Sequence, residues 1–166
     1  INAGGVSGLS GNMIKANVSN QELGLVGEIK TINTDLIQNL INNNFVPVIS
    51  PLGINQNPNN IDESILNINA DFVASEIAKT LRANKLIYQT DVDGIKDEKG
   101  RVIPKMTLDQ AKNLIYSGIV VGGMVPKLQS CIDSMQGVDH SHIINGNGNT
   151  LIDIFKGKRV GTEIIN

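Results

Sequence analysis

Short apolar runs of strand character alternate along this chain with amphipathic stretches of helical period. "DLIQNLINN" from Asp35 places Leu36, Ile37, Leu40 and Ile41 on one helical face, and "FVPVIS" from Phe45 reads as a short buried strand. "DFVASEIAKTL" from Asp71 aligns Val73, Ile77 and Leu81 with Ala74 and Ala78, and the strand-like "KLIYQTD" follows. "MTLDQAKNLIYSG" from Met106 carries Thr107 and Gln110 at capping-box spacing and closes on Gly118. A Gly-Gly helix, the strand "HIING", a short helix near "TLIDIF" and a last strand "RVGTEII" complete the series. This order predicts an α/β fold, a mainly parallel sheet with helices on both faces. Ligand sites in such sheets lie beyond the carboxyl ends of the strands.

A chain of 166 residues is long enough for one compact domain with a real core. A formal charge of −2 with 18% charged residues leaves no basic field for nucleic acid, so small molecules are the expected partners. No apolar run approaches the roughly 20 residues that span a bilayer, and no stretch reads as a secretory leader. The single cysteine, Cys131, shares an apolar helical face with Leu128, Ile132 and Met135. It reads as a core residue, in keeping with a reducing, cytoplasmic setting. His140 and His142 alternate in "HSHII" and would share one face of a strand; without nearby carboxylates or cysteines they suggest a strand-edge role rather than a metal site. The segment Asn55 to Ser64, "NQNPNNIDES", is expected to be an exposed loop. The opening at Ile1, inside "INAGGVSGLSG", reads as a domain already under way, hence as a piece of a longer protein.

Three stretches sit where ligands collect: "NINAD" (Asn67 to Asp71) ahead of a helix, "TDVDG" (Thr90 to Gly94) after a strand, and "GGMVPK" (Gly122 to Lys127) at a helix start. In the last, bare glycines let an anion approach uncapped amide groups, and Lys127 adds a full charge. The glycine-spaced phosphate loop ending in Gly-Lys-Ser/Thr is absent. Taken singly, each stretch has an ordinary explanation: loop polarity for Asn67 and Asn69, a helix cap for Asp71, a turn for "DVDG", a solvated lysine for Lys127.

Together the stretches say more. "NINAD", "LIYQTDVDGIKDEKGRVIPKMT", "GGMVPK" and the closing "VGTEI" resemble, in order, the motifs of the N-acetylglutamate kinases within the amino-acid kinase family. "GLVGEIKTINTDLIQNLINNNFVPVISPLG" is similar to the stretch that family carries ahead of the asparagine motif. The resemblance implies a three-layer sandwich in which residues from about 1 to 70 complete an amino-acid substrate lobe and residues from about 71 to 166 form a nucleotide lobe. It also implies phosphorylation of the side-chain carboxylate of N-acetyl-L-glutamate by ATP with Mg2+, on the way to arginine or ornithine, in a homodimer. Asn67 and Asn69 would contact the acetylated amino acid. Asp71 would organise the catalytic lysines and Lys127 would bind the transferring phosphate. Thr90, Asp91, Val92, Asp93 and Gly94, with Ile119, Val120, Val121, Gly122 and Gly123, would lie against the nucleotide; no side chain is implied as a metal ligand.

The departures concern neighbouring parts. The first-strand lysine, the glycine loops over the phosphates and a substrate-binding arginine would belong to a segment ahead of Ile1, so the 166-residue chain alone is expected to be inactive. "GLSGNMIKA" is shorter than the family's hairpin, "HIINGNGNTLIDIF" lacks a family histidine, and the Asn55 loop is longer. Two other readings stay open: a kinase of the same family with another carboxylate or carbamate substrate, and a nucleotide-binding module without turnover.

Overall fold

The computed structural model describes residues 1–166 and divides into two compact units, Ile1–Thr80 and Leu81–Asn166. The first unit holds β1 (Asn2–Ser7), β2 (Ile14–Val18), β3 (Gly27–Ile32), α1 (Asp35–Asn42), β4 (Phe45–Ser50), β5 (Leu52–Asn55) and β6 (Ile65–Asn67). α2 (Ala70–Leu81) starts in this unit. Its larger sheet has the order β3-β2-β5-β6, with β2 parallel to β5 and antiparallel to β3. Ile14 and Ala16 on β2 are fully buried, as is Leu66 on β6.

β1 and β4 pair in parallel as a separate two-stranded sheet, and α1 packs on β4. Ile37 is the buried residue of α1, whereas Ile41 on the expected apolar face is half exposed. The strand expected over "FVPVIS" forms, but it is not buried: Phe45, Val46 and Val48 are 39%, 50% and 58% exposed. The cause is pairing. With β1 as its single sheet neighbour and α1 against one side, β4 leaves its other side uncovered.

The second unit holds β7 (Lys85–Thr90), β8 (Lys105–Thr107), α3 (Leu108–Tyr116), α4 (Met124–Ser134), β9 (His140–Asn145), α5 (Thr150–Phe155) and β10 (Thr162–Ile165). The sheet order is β7-β9-β10-β8. Leu86, Tyr88, Ser141, Ile143, Ile164 and Met106 come into register on one buried face, against which α3 and α4 pack. α4 presents Leu128, Cys131 and Ile132 to the core, so the cysteine has the expected place. Burying each such Leu or Ile contributes roughly 1.5–3 kcal/mol relative to leaving it in water. α3 starts on the expected capping box, with Thr107 Oγ1 accepting from the Gln110 N–H and Gln110 Oε1 from the Thr107 N–H.

Four of the seven strand pairs are parallel, as the alternation of strands and helices requires. The antiparallel pairs arise where a strand returns beside its predecessor with no more than a single 3-10 turn between them, as β3 does on β2 and β6 on β5. β10 is the exception, turning back along β9 after the short α5. His140 and His142 do share a strand face, with ring centroids 6.4 Å apart, but β9 is an interior strand and not an edge. The Asn55 to Ser64 segment is exposed from Gln56 to Asp62 and half-buried at Glu63 and Ser64, while Asn55 closes β5, is 5% exposed, and its side-chain amide donates to the Glu63 carbonyl at 2.8 Å.

Candidate functional site

In the second unit, β7 and β9 run parallel and end side by side, with Thr90 opposite Asn145. The turn after β7 is tied to the end of β9: the Asn145 side-chain amide donates to Asp93 Oδ1 at 2.8 Å, and the Gly146 N–H to the Thr90 carbonyl at 2.8 Å. Thr90 Oγ1 donates to Asp91 Oδ1 at 3.1 Å. Thr90 to Gly94 is therefore a fixed polar rim on the carboxyl end of the sheet, with the Asp91 and Asp93 side chains exposed.

Gly94 anchors that rim from below. Its φ of 144° is a conformation side-chain-bearing residues rarely adopt, and a Cβ there would lie 2.7 Å from Thr162 Oγ1. Thr162 is fully buried; its hydroxyl accepts from the Ile95 N–H at 2.8 Å and donates to the Ile103 carbonyl at 2.7 Å. One hydroxyl thus joins the start of β10 to both ends of the excursion between β7 and β8.

The residues leading into α4 divide by role. The Val120 side chain is buried and its N–H donates to the Leu114 carbonyl at 3.2 Å, which fixes the loop to α3. Ile119 is half-buried, while Val121 is 69% exposed. Gly122 has φ 61°, and a Cβ on either Gly122 or Gly123 would meet nothing within 4 Å. Gly123 precedes the first turn of α4, which receives no side-chain cap. Open space over uncapped helix-start amides is the arrangement that admits an anion. Pro126 falls in the same first turn, where its missing N–H costs nothing, and half-buried Lys127 follows it.

In the first unit, Asn67 closes β6 opposite Leu52, and its N–H donates to the Leu25 carbonyl at 2.9 Å. Asn67 and Asn69 are both exposed and flank Ile68, which is 2% exposed. Asn69 Oδ1 accepts from the Asp71 N–H at 2.8 Å, so the cap of α2 is Asn69 and the ordinary explanation of Asp71 as that cap fails. Asp71 instead places a half-buried carboxylate in the first helical turn.

Each unit thus gathers its own set: Asn67, Asn69 and Asp71 in the first, and Thr90 to Gly94, Ile119 to Gly123 and Lys127 in the second. The second also includes Asn145, which sequence reasoning missed. Its signal was a polar residue closing the strand in "HIINGN", at the sheet end where ligands gather. No group of three or more His, Cys, Asp or Glu side chains is placed to hold a metal ion.

Residues 1–145 match the sequence pattern of the amino acid kinase family. The chain is 42% identical over 166 residues to an acetylglutamate kinase of Hydrogenobaculum sp., covering 96% of this chain and 56% of that protein. It is 39% identical to the acetylglutamate kinase of Aquifex aeolicus, covering 99% of this chain and 59% of that one. The chain thus spans a little over half the length of these relatives. Among solved structures, smu.665 from Streptococcus mutans superposes with a TM-score of 0.82 at 26% identity, over 99% of this chain and 61% of that one.

Proposed function

The chain belongs to the amino acid kinase family, and from that premise we propose that the full-length protein transfers a phosphoryl group from ATP to the side-chain carboxylate of N-acetyl-L-glutamate, making an acyl phosphate in arginine or ornithine biosynthesis. The observation that carries the chemistry is the uncapped start of α4, with open space over Gly122 and Gly123 and with Lys127 at the fourth position of the helix. The choice of acetylglutamate is supported by the acetylglutamate kinases that match nearly the whole chain.

An ionised carboxylate needs no general base to attack a phosphate, so the work of the site is to hold several negative charges together. The glycines admit the phosphates and the Lys127 ammonium neutralises charge on the group in transfer. Asp71 positions catalytic lysines and takes no proton. Asn67 and Asn69 offer side-chain amides to the acetylated amino acid; Asn69 does so with its NH2, since its Oδ1 already caps α2. The rim of Thr90, Asp91, Val92, Asp93 and Gly94 with Asn145 faces the nucleotide, together with Ile119, the backbone of Val120, and Val121. ATP with Mg2+ supplies the phosphoryl group and its charge screening. Mg2+ fits as a passenger on the phosphates, since the chain offers no carboxylate cluster of its own.

On this reading the residues from about 1 to 70 complete a substrate lobe, those from about 71 to 166 form the nucleotide lobe, and the protein works as a cytoplasmic homodimer. The test is ADP release by the full-length protein with three acceptors: N-acetyl-L-glutamate, L-glutamate and carbamate. Turnover confined to the acetylated acceptor supports the proposal, and a preference for carbamate replaces it with the other kinase reading.

A further inference from the structure

Between the end of β9 and the start of α5 the chain reads Asn145-Gly146-Asn147-Gly148. No other Asn-Gly pair occurs in the sequence. An asparagine side chain can be attacked by the amide nitrogen of the next residue, and glycine, with no Cβ in the way, hinders that attack least. By sequence the two pairs are equally open to this chemistry. Their surroundings in the fold differ.

Asn145 is held on both sides. Its side-chain amide donates to Asp93 Oδ1 at 2.8 Å, and its Oδ1 accepts from the Asn147 N–H at 2.9 Å. The nitrogen that would attack it, that of Gly146, donates to the Thr90 carbonyl at 2.8 Å. A Cβ on Gly146 would lie 3.4 Å from Gln89 Cβ and 3.5 Å from the Thr90 oxygen, so the backbone there is packed against β7. For Asn145 to react, the loop must first leave the strand.

Asn147 has no such restraint. It is exposed, its side chain makes no hydrogen bond, and the Gly148 N–H makes none either. Gly148 has φ 70°, and a Cβ on it would meet nothing within 4 Å. The bonds that Asn147 does make, from its N–H to Asn145 and to its carbonyl from Thr150 Oγ1 at 3.4 Å, leave both the side chain and the Gly148 nitrogen free to move.

We propose that Asn147 is a site of spontaneous deamidation that adds negative charge to the rim at the end of β7 and β9, and that the fold shields Asn145 from the same reaction. The Gly148 nitrogen, losing its proton to solvent, attacks Asn147 Cγ. The new N–Cγ bond forms, the Cγ–NH2 bond breaks, and ammonia leaves a succinimide ring. Water then opens the ring at either carbonyl, giving aspartate or isoaspartate. Both carry a carboxylate where there was a neutral amide, and isoaspartate also lengthens the main chain. That charge joins the exposed Asp91 and Asp93 carboxylates. Where the rim faces a nucleotide, which rests on the reading under Proposed function, the added charge opposes the phosphates.

The experiment is incubation of the full-length protein at mildly alkaline pH, folded and in guanidinium chloride, with peptide mapping by mass spectrometry and labelling by an isoaspartyl methyltransferase. In the folded protein Asn147 should convert about tenfold faster than Asn145 or more, since at least two hydrogen bonds must break before Asn145 reacts. In denaturant the two rates should converge. Equal rates in the folded protein, faster loss of Asn145, or a difference that persists in denaturant would each overturn the proposal. The effect on the rim is read by calorimetry with MgADP: Asn147→Asp should weaken binding several-fold and Asn147→Gln should not. An unchanged affinity in the aspartate variant would overturn that effect. Absence of MgADP binding by the unmodified protein would strike the nucleotide reading and the effect on the rim with it, while the mapping decides the modification site by itself.

Discussion

Lys127 and Asp71 are the residues whose roles separate a phosphoryl-transfer site from two ordinary helix starts. Losing a charge that acts mainly as negative charge shifts in the transition state typically costs on the order of 3 kcal/mol. Lys127→Ala in the full-length protein should therefore lower kcat by roughly a hundredfold while the Michaelis constant for acetylglutamate changes little; unaltered turnover would remove the assignment. Asp71→Asn keeps its backbone N–H and so keeps the bond to Asn69 that caps α2. A comparable rate loss with an unchanged melting temperature is expected, and a fallen melting temperature with normal specific activity would make Asp71 structural. Asn67→Ala and Asn69→Ala should instead raise the Michaelis constant for acetylglutamate, since a neutral hydrogen bond contributes roughly 0.5–1.5 kcal/mol. Initial-rate kinetics with each substrate varied in turn would test this, and an effect confined to ATP would contradict it. Asn69→Ala should also lower stability by about 1 kcal/mol through the lost cap, a cost that Asn67→Ala does not share. That second role could not be read from "NINAD": both asparagines look alike until the helix start is located one residue after Asn69.

Among the elements, α3 and α4 were legible because their starts carry local chemistry, a capping box in one and a glycine pair with proline in the other. β4 was legible as a strand and misleading as a buried one, because burial depends on which strands lie beside it and "FVPVIS" does not encode its neighbours. The tie through Thr162 was equally hidden, since it joins residues far apart in sequence. It makes a prediction about β10. Thr162→Val keeps the shape but leaves the Ile95 N–H and Ile103 carbonyl unpaired, at roughly 1–3 kcal/mol for each group that finds no new partner. Denaturant unfolding should show that loss; a change under about 0.5 kcal/mol, within the usual range for surface substitutions, would mean that the hydroxyl is not the anchor. β9 adds a pH dependence. His142 is held below the ordinary histidine value, first by burial, so the unfolded chain takes up a proton there more readily than the folded one. Stability from this group is complete above about pH 6.5 and is lost as pH falls toward the folded value. Glu163 is pushed up by burial, but Lys105, His142 and His140 outweigh this and hold it low, so its stability is lost only below the ordinary carboxylate range. Between pH 7.5 and 5.5 the melting temperature should therefore fall more steeply for the unmodified protein than for His142→Gln, and equal slopes would contradict the assignment.

At the scale of the molecule, the α/β class followed from alternation alone, because a parallel pair needs a crossover long enough to hold a helix. The division at Thr80 and Leu81 did not, since α2 runs across it without a break in its helical pattern. The candidate site was legible as motifs at strand and helix ends, and Asn145 was not because its meaning comes from the parallel pairing of β7 and β9. What ties these pieces together is the claim that the full-length protein makes an acyl phosphate. Hydroxylamine converts such a product to a stable hydroxamate, so its trapping in a reaction with MgATP and N-acetyl-L-glutamate tests that claim most directly. The account predicts hydroxamate in step with ADP release, and none when N-acetyl-L-glutamate is omitted. ADP release without hydroxamate, or hydroxamate formed equally well from carboxylic acids lacking the acetylated amine, would contradict it.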